Sequence, residues 1–108
     1  MIRLTTPTHS FTFDSDPSLY ARILITYKQG SRIVLNKEKE DLTVEEKQEG
    51  GETVWVASFR LTQEETKGFS ANGAVKIQVR ALAEDGTAFA SEKYSLPVED
   101  VLNDEVLV

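Results

Sequence analysis

Apolar side chains recur at every second position along several stretches of this chain, and this period constrains the fold more than any other feature. Within residues 74–82, apolar side chains alternate with polar ones, with Val75, Ile77, Val79 and Ala81 on one face and Lys76, Gln78 and Arg80 on the other. Residues 53–61 place Trp55, Phe59 and Leu61 on one side. A period of two is typical of β-strands that are buried on one face. The chain is therefore predicted to be mostly β, with Trp55 as an anchor of the core.

Glycine-containing turns separate these stretches and predict antiparallel hairpins. A Gln-Gly pair ending at Gly30 joins residues 21–27 to residues 32–36, and an Asp-Gly pair ending at Gly86 follows residues 74–82. Such pairs favour the tight turns of β-hairpins. Most connections are therefore expected to be hairpins, and the sheets to be antiparallel.

The last predicted strand, residues 87–98, does not keep a single period. Phe89 and Tyr94 fall on opposite parities. A bulge near Ser91 is therefore expected, because one extra residue moves the following side chains to the other face.

One short helical signal interrupts the strands. Thr62 and Glu65 have the spacing of a capping box, in which each side chain bonds the other residue's backbone N–H. The chain reaches Gly68 soon afterwards, so only a turn or two of helix fits near residues 62–67, and Phe69 is expected to plug the core. These elements predict an all-β fold: an antiparallel two-sheet, immunoglobulin-like sandwich of about seven strands with one helical turn. A small barrel is the alternative.

The sandwich is predicted to span residues 1–98, and residues 99–108 form a C-terminal tail of different composition. Six of the last eleven residues are Val or Leu, and four are acidic. We consider three alternatives for the tail: a terminal strand on its own domain, an arm that docks on a neighbouring subunit, or a frayed end.

Composition makes several functional classes improbable. The chain has 108 residues, a net charge of −6, no cysteine and a single histidine, His9. Thiolate metal sites and cysteine nucleophiles are excluded, and a lone imidazole leaves few ways to build a catalytic triad. The acidic balance argues against nucleic-acid binding. No apolar run is long enough for membrane insertion, and no signal peptide is recognised.

The acidic side chains do not form a recognisable site. The neighbouring carboxylates, such as Glu45 and Glu46, are adjacent in sequence, and adjacent residues of a strand point to opposite faces. Asp14-Ser15-Asp16 resembles the start of a calcium loop but lacks the ligands that should follow it. We therefore predict no catalytic, cofactor-binding or metal-binding residues.

A group of apolar residues on the outward parity is the strongest functional signal from the residues themselves. Leu24, Val34, Val54 and Val56 occupy positions that a free monomer normally gives to charged side chains. If their strands are neighbours, they form an exposed apolar patch, which is typical of a partner surface. The charge distribution allows a self-complementary contact as well, because residues 1–37 sum to +3 and residues 38–108 sum to −9.

Several motifs resemble small proteins encoded in prophages of Firmicutes, and in particular the N-terminal β-sandwich of phage baseplate upper proteins. They are Leu-Thr-Gln-Glu-Glu-Thr at 61–66, Val-Lys-Ile-Gln-Val-Arg at 75–80, Asp-Gly-Thr-Ala at 85–88 and Val-Leu-Asn-Asp-Glu-Val at 101–106, with Leu-Thr-Thr-Pro-Thr-His at 4–9 and Ile-Thr-Tyr-Lys-Gln at 25–29. The resemblance implies a virion structural component of the tail or baseplate without catalytic residues. It implies synthesis in the bacterial cytoplasm, a place in the virion, and contacts with other virion proteins or copies of itself.

The resulting prediction is a non-enzymatic phage or prophage structural protein that acts as an assembly adaptor. Its partners are other virion proteins or further copies of itself in a homo-oligomer. Its interface is predicted to use the outward apolar residues and the tail, namely Leu24, Val34, Val54, Val56, Val101, Leu102, Val106 and Leu107. No cofactor, nucleic acid or membrane is expected to take part. The alternative function is an immunoglobulin-like carbohydrate-binding or adhesion module.

Overall fold

The computed structural model describes residues 1–71 and 73–108, and it contains two antiparallel sheets packed face to face. The strands are β1 (Thr8–Phe13), β2 (Tyr20–Gln29), β3 (Arg32–Glu38), β4 (Thr43–Glu49), β5 (Glu52–Arg60), β6 (Ala74–Ala83), β7 (Ala88–Ala90) and β8 (Tyr94–Pro97). Among the described residues, one α-helix, α1 (Gln63–Lys67), follows β5, and two short 3-10 turns lie at Pro17–Leu19 and Lys39–Asp41. The predicted all-β antiparallel sandwich, immunoglobulin-like in architecture and with one short helix, is confirmed.

The two sheets differ in width. The smaller has the order β1-β5-β4, and the larger has the order β3-β2-β6, with β7 and β8 both pairing with the far edge of β6. Neighbouring strands of each sheet pair antiparallel, in registers such as Phe11↔Ala57 in the smaller sheet and Ile25↔Val79 in the larger one. Three strands therefore cover a sheet that is effectively four strands wide.

The core lies between the sheets and is built from the inward parity of the central strands. Its buried members are Ile23, Ile25, Tyr27, Ala57, Phe59, Leu61, Phe69, Val75, Ile77, Val79, Ala81 and Val98. The largest fully buried side chains include Tyr27 and Phe69. The expectation that Phe69 plugs the core is confirmed.

Trp55 is not the core anchor that the sequence predicts. It pairs with Phe13 and Glu46, at the end of β5 that leads into the β4–β5 turn, and it is only half-buried. Every residue of β4 is exposed on both faces. The β4–β5 hairpin therefore extends past the larger sheet, and Trp55 lies where that cover ends.

A bulge in the β2–β3 hairpin changes the predicted faces of Ile33 and Val34. The register passes from Tyr27↔Leu35 to Lys28↔Ile33, so Val34 has no cross-strand partner. Val34 packs against the core, with its Cγ1 beside Gly68, while Ile33 is 58% exposed. The pattern of residues 32–36 predicts Ile33 and Leu35 inward and Val34 outward. The expectations for Ile33 and Val34 are wrong because one extra residue shifts the parity. Leu35 packs against the core as expected.

The predicted bulge in the last strand is confirmed. Phe89 pairs with Ala81 in β7, and Tyr94 pairs with Ile77 in β8, so one extra residue separates the two registers. In the gap, the Ser91 hydroxyl accepts a hydrogen bond from the Val79 N–H at 3.0 Å. Phe89 and Tyr94 therefore face the same side of the sheet as the core.

Helix α1 is held by the capping box that the sequence predicts. The Thr62 hydroxyl accepts from the Glu65 N–H at 3.1 Å, and the Glu65 carboxylate accepts from the Thr62 N–H at 2.9 Å. The helix has five residues, and no described helix is long and apolar enough to cross a bilayer. Buried Thr66 faces the N-terminal segment, where its hydroxyl bonds both the N–H and the C=O of Thr5.

Candidate functional site

The free edge of β1 is the least protected strand edge in the fold. The Leu61 N–H donates to the Pro7 carbonyl at 2.9 Å. This bond shows which alternate residues of β1 form hydrogen bonds with β5. Odd-numbered residues of β1 therefore bond towards β5, and the backbone N–H and C=O groups of Thr8, Ser10 and Thr12 point away from it. Among the described residues, no strand pairs with β1 on that side.

The composition of β1 leaves this edge without the usual safeguards. Natural proteins protect edges with charged side chains, prolines, bulges or very short strands. The edge strands β3 and β4 carry several charges, and β7 and β8 have three and four residues. In contrast, β1 has six residues, a regular register and no Asp, Glu, Lys or Arg. This edge is therefore suited to accept another strand.

An aromatic cleft lies beside the same edge, between β1 and the strands β7 and β8. One part encloses about 300 Å³ and the other about 500 Å³, and the two parts share Phe11, Thr12 and Tyr94. Aromatic rings line the first part and contact one another in the pairs Phe11–Tyr94, Phe13–Tyr20 and Tyr20–Phe89, with ring centroids 6.0–6.4 Å apart.

The cleft exists because the two sheets differ in width. Phe59 of β5 contacts Tyr27 of β2, and Phe11 of β1 contacts Tyr94 of β8. The edge strand β1 of the smaller sheet therefore lies over β8 and covers this end of the larger sheet only in part. Phe89 and Tyr94 face inward, yet each remains 51% exposed. A strand added beside β1 would lie over these two rings.

His9 faces the core from β1 and joins the two sheets. Its Nδ1 lies 2.5 Å from the Tyr27 hydroxyl, and its ring stacks on Tyr27 with centroids 5.7 Å apart. Burial lowers the pKa of His9 and raises the pKa of Tyr27, so the imidazole is neutral and the phenol donates to it. This arrangement gives His9 a structural role.

The acidic loop at Asp14-Ser15-Asp16 also has a structural role. The Asp16 carboxylate accepts from the Ser18 N–H at 2.9 Å and caps the first 3-10 turn. The Ser15 and Tyr20 hydroxyls are 2.9 Å apart. Within residues 1–71 and 73–108, no three His, Asp or Glu side chains are grouped as metal ligands.

The four outward residues predicted as one apolar patch are not brought together. Leu24 lies on the outer face of the larger sheet, between Glu38 and Arg80. Val54 and Val56 lie on the outer face of the smaller sheet, on the opposite side of the sandwich. As described above, Val34 packs against the core. The single patch is therefore wrong, because its members belong to different sheets.

The C-terminal tail lies on its own domain as an irregular segment. The Gln63 side chain bonds the Leu107 backbone twice: its amide donates to the carbonyl at 2.8 Å, and its oxygen accepts from the N–H at 2.9 Å. Val101 and Val106 are half-buried, while Leu102 is fully exposed and Leu107 is 73% exposed. Beyond β8, the described residues form only an isolated parallel bridge, Ile2↔Glu99.

Basic side chains collect on the outer face of the larger sheet, which the sequence analysis did not foresee. This face carries Arg22, Lys28, Lys76 and Arg80, and Lys93 lies beside it. The only acidic residue among its described strand positions is Glu38, which pairs with Arg22 at 2.5 Å. The alternation in 74–82 did place Lys76 and Arg80 in water, but only the β2–β6 register reveals the cluster.

Comparison with known proteins gives no relative: no protein-family model matches the chain, and no curated protein is similar enough in sequence to count as a match.

Proposed function

We propose that this chain is a non-enzymatic structural protein of a phage or prophage particle, a tail or baseplate component that acts as an assembly adaptor through protein–protein contacts. The observation that carries the contact role is the uncharged free edge of β1 beside the aromatic cleft. The particle context comes from the resemblance of the motifs quoted above to the sandwich of phage baseplate upper proteins.

Strand addition at β1 would supply both affinity and selectivity. The three N–H and three C=O groups of Thr8, Ser10 and Thr12 would pair with the backbone of an incoming strand. Alternate side chains of that strand would enter the cleft and cover Phe89 and Tyr94. Covering about 100 Å² of ring surface on each of these two residues contributes about 2.5 kcal/mol per residue to the free energy of binding.

The alternative function, a carbohydrate-binding or adhesion module, is favoured by the same cleft. Phe89 and Tyr94 expose ring surface next to the polar side chains of Asp14, Ser15 and Ser91. Sugars bind where a ring face lies beside hydrogen-bonding groups. Binding of a glycan that is lost in Phe89→Ala would favour this alternative over strand addition.

The proposal is tested by particle incorporation. The wild-type chain is expected in purified, induced phage particles, as detected by mass spectrometry. Ser10→Lys adds a charge to the free edge and is expected to abolish incorporation, because a charged edge disfavours strand addition. Thr43→Lys is the matched control, since Thr43 and Ser10 flank Ser58 on the same outer face, and it should be incorporated normally.

Two results would contradict the proposal. A chain that is absent from purified particles would overturn the virion role. Incorporation of Ser10→Lys at the wild-type level would show that the β1 edge is not the contact.

A further inference from the structure

Two pairs of like charges stand directly opposite each other in the sheets. Lys28 of β2 pairs with Lys76 of β6, and Glu49 of β4 pairs with Glu52 of β5. Like charges in opposed positions destabilise an antiparallel pair. No ion pair among the described residues relieves either of them.

Each pair belongs to a larger surface of the same sign. The basic face, defined as Arg22, Lys28, Lys76, Arg80 and Lys93, has a shallow groove lined by its three lysines and by no carboxylate. The acidic hairpin, defined as residues 45–52, carries Glu45, Glu46, Glu49 and Glu52 against a single basic residue, Lys47. All of its residues are exposed.

The Glu49–Glu52 pair and the Lys28–Lys76 pair lie at opposite ends of one molecule. Phe13, which pairs with Trp55 at the base of the acidic hairpin, contacts Tyr20 at the start of β2. Lys28 is eight positions further along β2, or about 26 Å at the rise of a strand. This separation exceeds a Debye length of about 8 Å at physiological salt, so the charges do not compensate each other within one copy.

We propose that the acidic hairpin of one copy binds the basic face of a second copy. The contact places Glu49 and Glu52 against Lys28 and Lys76 and relieves both like-charge pairs at once. It deepens the proposed assembly role and rests on it, but it uses residues away from the β1 edge.

The symmetry of such a contact has a consequence for the assembly. Two different surfaces meet, so each copy keeps one free hairpin and one free basic face, and the contact repeats as a ring or an open chain. The mass in solution is therefore expected to rise with concentration in steps of 12.1 kDa.

The experiment is size-exclusion chromatography with light scattering on the full chain. Between about 0.01 M and about 1 M salt the Debye length falls from about 30 Å to about 3 Å, so association should be lost across this range. At low salt, Lys28→Glu/Lys76→Glu and Glu49→Lys/Glu52→Lys are each expected to be monomeric. Each variant keeps like charges opposite each other, so its fold and stability should stay close to wild type.

Mixing the two variants provides the decisive measurement. In an equimolar mixture, the reversed, basic hairpin of Glu49→Lys/Glu52→Lys can bind the reversed, acidic face of Lys28→Glu/Lys76→Glu. The unchanged acidic hairpin of the second variant can also bind the unchanged basic face of the first. Association is therefore expected to return to the wild-type mass. Glu84→Lys/Asp104→Lys has the same charge change as the hairpin variant at exposed positions elsewhere, and it should associate like wild type.

Three results would overturn the proposal: a wild-type protein that is monomeric at low salt, association that is insensitive to the reversals, or no recovery on mixing. A monomeric wild type that binds polyglutamate through Lys28 and Lys76 would reject the second copy as occupant and assign the basic face to a different acidic partner. The virion role would still be decided separately, by incorporation into particles.

Discussion

Thr66→Val should destabilise the domain through one hydroxyl group. Thr66 is fully buried on α1, and its hydroxyl accepts from the Thr5 N–H at 3.2 Å and donates to the Thr5 carbonyl at 3.0 Å. Valine has nearly the same shape but leaves both backbone groups of Thr5 without this partner. Each such loss costs about 1–3 kcal/mol, and because Thr5 is half-buried we expect the lower end, about 2 kcal/mol in total.

Urea unfolding of the wild type and the variant measures this loss. For a slope of about 2 kcal/mol per M, the midpoint should fall by about 1 M. Thr66→Ser is the control, because it keeps the hydroxyl and loses one methyl group, which costs about 0.8 kcal/mol. The hydroxyl argument is refuted if the serine variant is less stable than the valine variant, or if valine matches the wild type.

Two further predictions concern a buried imidazole and an outer sheet face. Burial lowers the pKa of His9 below its value of about 6.5 in the unfolded chain, so the unfolded state binds more protons below that pH. The contribution of neutral His9 to the free energy of unfolding should be complete above about pH 6.5 and lost as the pH falls towards the folded pKa. In unfolding measurements at a series of pH values, His9→Gln should reduce the slope of the free energy against pH in that range. An unchanged slope would count against this prediction. Val54→Asp with Val56→Asp should leave a folded domain, by circular dichroism, because both side chains point away from the core; normal self-association of this double variant would remove that face from the interface.

The elements that depend on nearby residues could be predicted from the sequence. The capping box needs only Thr62 and Glu65, and the hairpin turns need a glycine at positive φ, as at Gly30 and Gly86. The bulge near Ser91 was also predictable, because two aromatic residues on opposite parities cannot both face the core without an extra residue.

The errors arose where tertiary position overrides the local period. Nothing near Val34 marks the bulge that turns it inward, since Ile33, Val34 and Leu35 are all apolar and the sequence does not say which of them faces the core. Trp55 lies on the correct parity, but the strand continues past the end of the larger sheet, so parity alone does not bury it. A period of two identifies which face a residue occupies and does not say whether another sheet covers that face.

The candidate surfaces were missed for the same reason. Phe89 and Tyr94 are inward residues that stay half-exposed only because three strands cover a wider sheet, and the number of strands in each sheet is not a local property. Likewise, Lys28 and Lys76 are far apart in sequence and become neighbours only through the β2–β6 register.

The charge pattern shows how this register changes a functional argument. Summed along the chain, residues 1–37 carry a net charge of +3 and residues 38–108 carry a net charge of −9. In the fold, the basic face takes Lys28 from the first segment and Lys76 from the second, while the acidic hairpin carries the opposite sign at the other end of the sandwich. Both like-charge pairs weaken the isolated domain, and neither is needed to specify the strand register. The buried face specifies the β2–β6 register, and the glycine turn at Gly50 and Gly51 specifies the β4–β5 register. A charge arrangement that costs stability in one copy and is relieved between two copies is what a head-to-tail contact requires.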